Sequence, residues 1–273
     1  MRYLNSNSLN LLKTIESNGV YFSGTVTYCD VCAVGKSHQL AHPKTANNKV
    51  QPTCQLVMAD LMGPVMPEAL GSFQYVCKIS NEYTTWTEIY LLKSKGGAFH
   101  AFQSFIQSMV IPGGVRSDIG GWFIGNDFRT YCRHTGIWVE FASTDTPQQI
   151  GLSERLERTL TAMIRCMLAD SGLTTFLQRK LMSTAAYLAN RSPHSALDMQ
   201  SPHEMLKRTE PDPQHLRVVG ARTFVHIVRH TPKLALTAVE GRLAGYSNDS
   251  KSYRVYNPAT RRIMEIRNVV FIE

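Results

Sequence analysis

The chain has 273 residues, of which 43% are hydrophobic and 18% charged. That is ordinary for a soluble globular protein and enough for one full domain plus one or two small modules. No apolar stretch approaches the roughly 20 residues that cross a bilayer, and the start, Met1 to Asn7, lacks the apolar core of a secretory signal. The net charge is +8, and residues 205–273 carry twelve Lys/Arg against six Asp/Glu, so 12 − 6 = +6 of it is C-terminal. A basic surface suits a polyanionic partner, although charge alone says little.

In chain order, residues 1–50 read as a poorly packed lead-in. A brief helical pattern (Leu9, Leu11, Leu12, Ile15) precedes the pair Cys29 and Cys32, and His38 to Lys49 forms a polar linker. Residues 51–210 read as a mixed sheet flanked by helices. Strands are expected at 56–58, 73–79 and 86–92, then a helix on Phe99, Phe102, Ile106 and Met109. A short strand leads to Asp118, a helix is expected over 124–134 and a strand over 137–141. The clearest helix is 152–169, where Leu156, Leu160, Met163, Ile164 and Met167 share one face and Glu154, Arg155, Glu157, Arg158 and Arg165 lie away from it. Another helix spans about 174–190. Residues 211–273 read as a small antiparallel barrel, with strands near 217–228, 242–246, 252–256 and 262–272. The scattered Cys54, Cys77, Cys132 and Cys166 read as reduced core residues in an intracellular compartment.

Three carboxylates stand out. Asp60 lies where Leu56-Val57-Met58-Ala59 meets Leu61-Met62-Gly63-Pro64. Asp118 follows Val115-Arg116-Ser117 and precedes Gly120-Gly121. Glu154 follows Thr146-Pro147-Gln148-Gln149 at the head of the amphipathic helix, and thirty-five residues separate it from Asp118. Taken singly, each Asp reads as a turn former and Glu154 as a solvated partner of Arg158. Taken together, three hard oxygen donors on separate elements suit a pair of divalent ions roughly 3.5–4 Å apart, the arrangement that serves phosphodiester chemistry.

The flanks of these acids resemble the integrase region of a copia-type LTR retrotransposon Pol polyprotein, within the retroviral integrase superfamily. Asp60-Leu61-Met62-Gly63-Pro64 resembles the first catalytic block, Arg116-Ser117-Asp118 with Gly120-Gly121 the second, and Thr146-Pro147-Gln148-Gln149, Gly151 and Ser153-Glu154-Arg155 with Arg158-Thr159-Leu160 the third. Ala189-Asn190-Arg191-Ser192-Pro193, Gly245-Tyr246-Ser247 and Asn268-Val269-Val270-Phe271 continue the likeness into the family's C-terminal SH3-like barrel. Cys29-Asp30-Val31-Cys32 resembles the end of its N-terminal zinc module.

The resemblance implies an RNase H-like α/β core in which Asp60, Asp118 and Glu154 bind Mg²⁺ or Mn²⁺ and catalyse DNA 3′-end processing and strand transfer. It also implies DNA contacts through Gln148, Gln149, Arg155, Arg158, Arg261 and Arg262, a homo-multimer holding paired element ends, and action in the nucleus. The N-terminal module is expected to be a truncated remnant: Tyr3 stands at the position of its second His. Cys29 and Cys32 are therefore either ordinary thiols of a vestigial zinc site or a rearranged Cys₂His₂ set completed by His38 and His42. Family members commonly carry His where Met58 stands, Asn where Ile119 and Ile150 stand, and Glu where Trp122 stands. Loss of polar neighbours removes groups that orient metal ligands. A catalytically silent DNA-binding relic, or a nuclease of the same fold, is thus weighed beside the active integrase.

Overall fold

A computed structural model describes residues 56–64, 72–108, 113–117, 125–141, 147–226, 237–247 and 252–272, the side chains of 147–153 excepted. The strand-forming runs 56–58, 73–79 and 86–92 become β1 (Leu56–Met62), β2 (Tyr75–Asn81) and β3 (Thr87–Leu92). Then come α1 (Gly97–Ser108), β4 (Gly114–Ser117), α2 (Asn126–Thr135) and β5 (Trp138–Phe141). The sheet order is β3-β2-β1-β4-β5. β1, β2 and β3 run antiparallel, while β4 and β5 run parallel to β1. This is the mixed sheet expected of an RNase H-like core.

Side-chain alternation splits the sheet into two faces. Val57, Ala59, Cys77, Ile79 and Val115 pack with Phe102, Phe105 and Phe128 of α1 and α2. The Phe102 and Phe128 rings meet edge-on at 5.1 Å between centroids. Asp60 and Lys78 therefore lie on the opposite face, toward the helices that follow.

Those helices are α3 (Pro147–Ser171), α4 (Gln178–Ala189) and the short α5 (Pro202–Lys207). α3 starts five residues before the apolar periodicity does. Gln148, Gln149 and Gly151 carry no apolar signal, but Pro147 at the first helical position is a start signal in its own right, because its fixed φ suits the first turn. Leu160, Met163, Ile164 and Met167 of α3 pack with Leu181 and Ala185 of α4, as their spacing predicts.

The second sheet comprises β6 (Arg222–His226), β7 (Ala238–Tyr246), β8 (Tyr253–Asn257), β9 (Arg262–Ile266) and β10 (Val269–Ile272), all antiparallel, in the order β10-β6-β7-β8-β9. The run 262–272 is two strands, not one, and β7 begins earlier than its apolar segment. The sheet docks on the core through α4. The Thr184 hydroxyl donates to the Ala244 carbonyl at 2.8 Å, and the Tyr246 ring stacks on Tyr187 at 4.8 Å. Gly245 permits this approach: a Cβ there would lie 2.0 Å from Thr184 Oγ1. Cys77, Cys132 and Cys166 are buried free thiols. Burial pushes the Cys132 thiol up to about 11 and Cys77 up to about 12, Asp60 adding to the latter.

Candidate metal centre

Asp60 is the fifth residue of β1, a central strand, and is partly exposed on the face toward α3. The antiparallel register places Lys78 of β2 directly across from it. Lys78 Nζ stands 3.1 Å from Asp60 Oδ2 and 3.6 Å from Glu157 Oε2, and only 1% of its side chain is exposed. A buried ammonium needs such partners, because desolvation of an unpaired charge costs several kcal/mol. Asp60 on a strand and Glu157 on a helix are thus tied together through one cation.

Glu154 lies one turn before Glu157 on α3 and is exposed, as are Arg155 and Arg158. Spacing of three places Glu154 and Glu157 on neighbouring positions of the helix surface. Neither Lys78 nor Glu157 was singled out by the sequence motifs. Lys78 looks there like one polar residue in a strand, and only the β1–β2 register identifies its partner.

Ser117 ends β4 opposite Ala59, so the second block begins beside the first. Asp118 itself lies outside the described residues, as do Ile119, Trp122, Cys29, Cys32, His38 and His42. Gln148 and Gln149 fall in the first turn of α3. Arg116 of the same block is structural: it pairs with Glu140 across β4 and β5 at 3.0 Å and with Glu82 at 3.6 Å. Burial raises the Glu82 carboxyl above its usual range, opposed by Arg116. Met58, where the family commonly has His, is buried in β1.

Carboxylate oxygens from Asp60 and Glu154 are the hard donors that Mg²⁺ or Mn²⁺ takes, so the donor chemistry fits. Among the described residues, however, no three His, Cys, Asp or Glu side chains gather as a metal site. One of the Asp60 oxygens already faces an ammonium.

The chain is 31% identical over 255 residues to the Retrovirus-related Pol polyprotein from transposon TNT 1-94 of Nicotiana tabacum, covering 91% of this chain and 19% of that protein. This chain is a relative of the transposon Pol polyproteins. Pol polyproteins from transposons RE2 and RE1 of Arabidopsis thaliana are 26% and 25% identical, each over 90% of the chain and 17% of their own length. The chain therefore spans about a fifth of the Pol relatives it matches. Residues 221–273 match the Retroviral polymerase SH3-like domain, which covers the second sheet. A solved structure described as the HTLV-2 integrase catalytic core domain in complex with magnesium has a TM-score of 0.45 at 13% identity, covering 58% of this chain and 99% of that one. The resemblance to a retrotransposon Pol polyprotein, read from short motifs, is borne out over nine-tenths of the chain.

Among the described residues no helix is long and apolar enough to cross a membrane. Arg261 ends the turn before β9 and Arg262 opens that strand, both exposed.

Proposed function

We propose that this chain is the integrase segment of a retrotransposon Pol polyprotein and joins element DNA ends to target DNA. Asp60, Asp118 and Glu154 would hold Mg²⁺ or Mn²⁺. The observation that carries the reading is the meeting of the β1 carboxylate with the polar edge of α3, linked through Lys78. Bound there, the ions would activate the attacking oxygen and stabilise the leaving one. The chain's own groups do the rest. The carboxylates would hold the ions, and Arg155 and Arg158, exposed beside Glu154, would meet DNA phosphates. Gln148, Gln149, Arg261 and Arg262 would add further DNA contacts. A multimer that pairs two element ends, acting in the nucleus, is part of the proposal.

Equilibrium binding of Mn²⁺, followed by electron paramagnetic resonance, tests the metal centre. Binding by the intact chain that is lost in Asp60→Asn and in Glu154→Gln supports the reading. Binding indifferent to both substitutions rejects these ligands.

A second reading, a DNA-binding relic without catalysis, is favoured by Lys78 itself, which supplies Asp60 with a resident positive charge. It predicts salt-sensitive DNA binding together with no measurable Mn²⁺ binding at millimolar concentration.

A further inference from the structure

A cavity of about 500 Å³ opens between the core and the second sheet, and neither Asp60 nor Glu154 lines it. Lys180 of α4, Arg254 of β8, Glu265 of β9 and the hydroxyl-bearing Ser183 and Ser252 line it, with Phe73 on its core side. Arg254 Nη2 donates to the Thr184 hydroxyl at 3.1 Å. Its Nε is buried and has no hydrogen-bond partner among the described residues. Lys180 lies 4.7 Å from the centroid of the Phe73 ring.

Two cations held this close repel each other. Burial and then Arg254 lower the Lys180 ammonium below its usual range, and only the exposed Glu265 opposes this. Glu265 sits across from Arg254 in the β8–β9 register, so two positive charges face one rim carboxylate. An anion between Lys180 and Arg254 would relieve the repulsion.

We infer that this junction cavity binds a phosphate group, held by the Lys180 ammonium and the Arg254 guanidinium. The volume admits a nucleotide-sized ligand, so the phosphate could belong to a free nucleotide or to a DNA strand crossing from core to barrel. The site does not depend on the triad, and its test needs no divalent ion.

The full chain is examined in EDTA against thymidine 5′-monophosphate by thermal shift and against duplex DNA by fluorescence anisotropy over a salt series. The variants are Lys180→Gln, Arg254→Gln and Glu265→Gln, each checked for native circular dichroism. If the source is a free nucleotide, the monophosphate raises the melting temperature of the parent, less so for Lys180→Gln, and more so for Glu265→Gln. If the source is DNA, the monophosphate has no effect, but Lys180→Gln lowers the slope of log affinity against log salt by about 1. Glu265→Gln keeps the proposal testable where Arg254→Gln fails to fold, since removing the rim carboxylate must tighten phosphate. No response to the monophosphate, together with an unchanged salt slope in Lys180→Gln and unchanged affinity in Glu265→Gln, overturns the inference.

Discussion

Lys78 decides how Asp60 behaves. Its ammonium must leave Asp60 Oδ2 before that oxygen can take a divalent ion, and at an effective dielectric of 20 two charges 4 Å apart interact by about 4 kcal/mol. Removing it leaves Asp60 and Glu157 facing the same space without a cation. Lys78→Met is therefore expected to raise Mn²⁺ affinity at least ~10-fold, read by titration. Unchanged affinity would mean that the lysine and the ion do not compete. The flanks and spacing of the three carboxylates are distinctive in the sequence. The lysine is not, because its partner is chosen by strand pairing eighteen positions away.

Between elements, side chains from the later motifs act as fasteners. β3 is an edge strand, and the Asn190 side chain covers its main chain, accepting from the Thr87 N–H at 3.0 Å and donating to the Thr87 carbonyl at 2.7 Å. Both Thr87 and Asn190 are buried. Asn190→Ala strands two backbone groups at about 1–3 kcal/mol each, so a loss of about 2–6 kcal/mol in chemical denaturation is expected. Asn190→Asp, which keeps the acceptor, should lose less than Asn190→Ala. The elements with local signals were legible: the apolar face of α3, the β-rich runs of β1 to β3, and the turn after β8. The start of β7 was not, because Glu240 and Gly241 interrupt its apolar run. Pairing with β6, reinforced by Arg222 to Glu240 at 2.8 Å, extends that strand. The pairing of β10 with β6 is likewise set by closure of the sheet rather than by any local pattern.

Over the whole molecule, three histidines couple stability to pH. Burial lowers His194, His203 and His215 below the ordinary imidazole value of 6.5, and the neighbouring Arg191 adds to this at His203 and His215. His215 also shares a hydrogen bond with the Tyr187 hydroxyl at 2.7 Å, within the cluster that seats the second sheet. Since the folded values are lowered, the unfolded chain takes up protons first. The contribution is complete above pH 6.5 and is lost as pH falls through 6.5 toward the folded values. The melting temperature should drop between pH 7.5 and 5.5 and drop less in His215→Gln. An equal drop in that variant would assign the effect elsewhere.

In the proposed integrase, Asp60, Asp118 and Glu154 form one centre for DNA joining. Strand transfer of labelled duplex ends into target DNA, with Mg²⁺ or Mn²⁺, tests it most directly when the parent is run beside Asp118→Asn and Lys78→Met. Joined products from the parent, undiminished or increased in Lys78→Met and lost in Asp118→Asn, are the predicted result. Folded, DNA-binding protein that joins nothing, with or without Lys78, would contradict it.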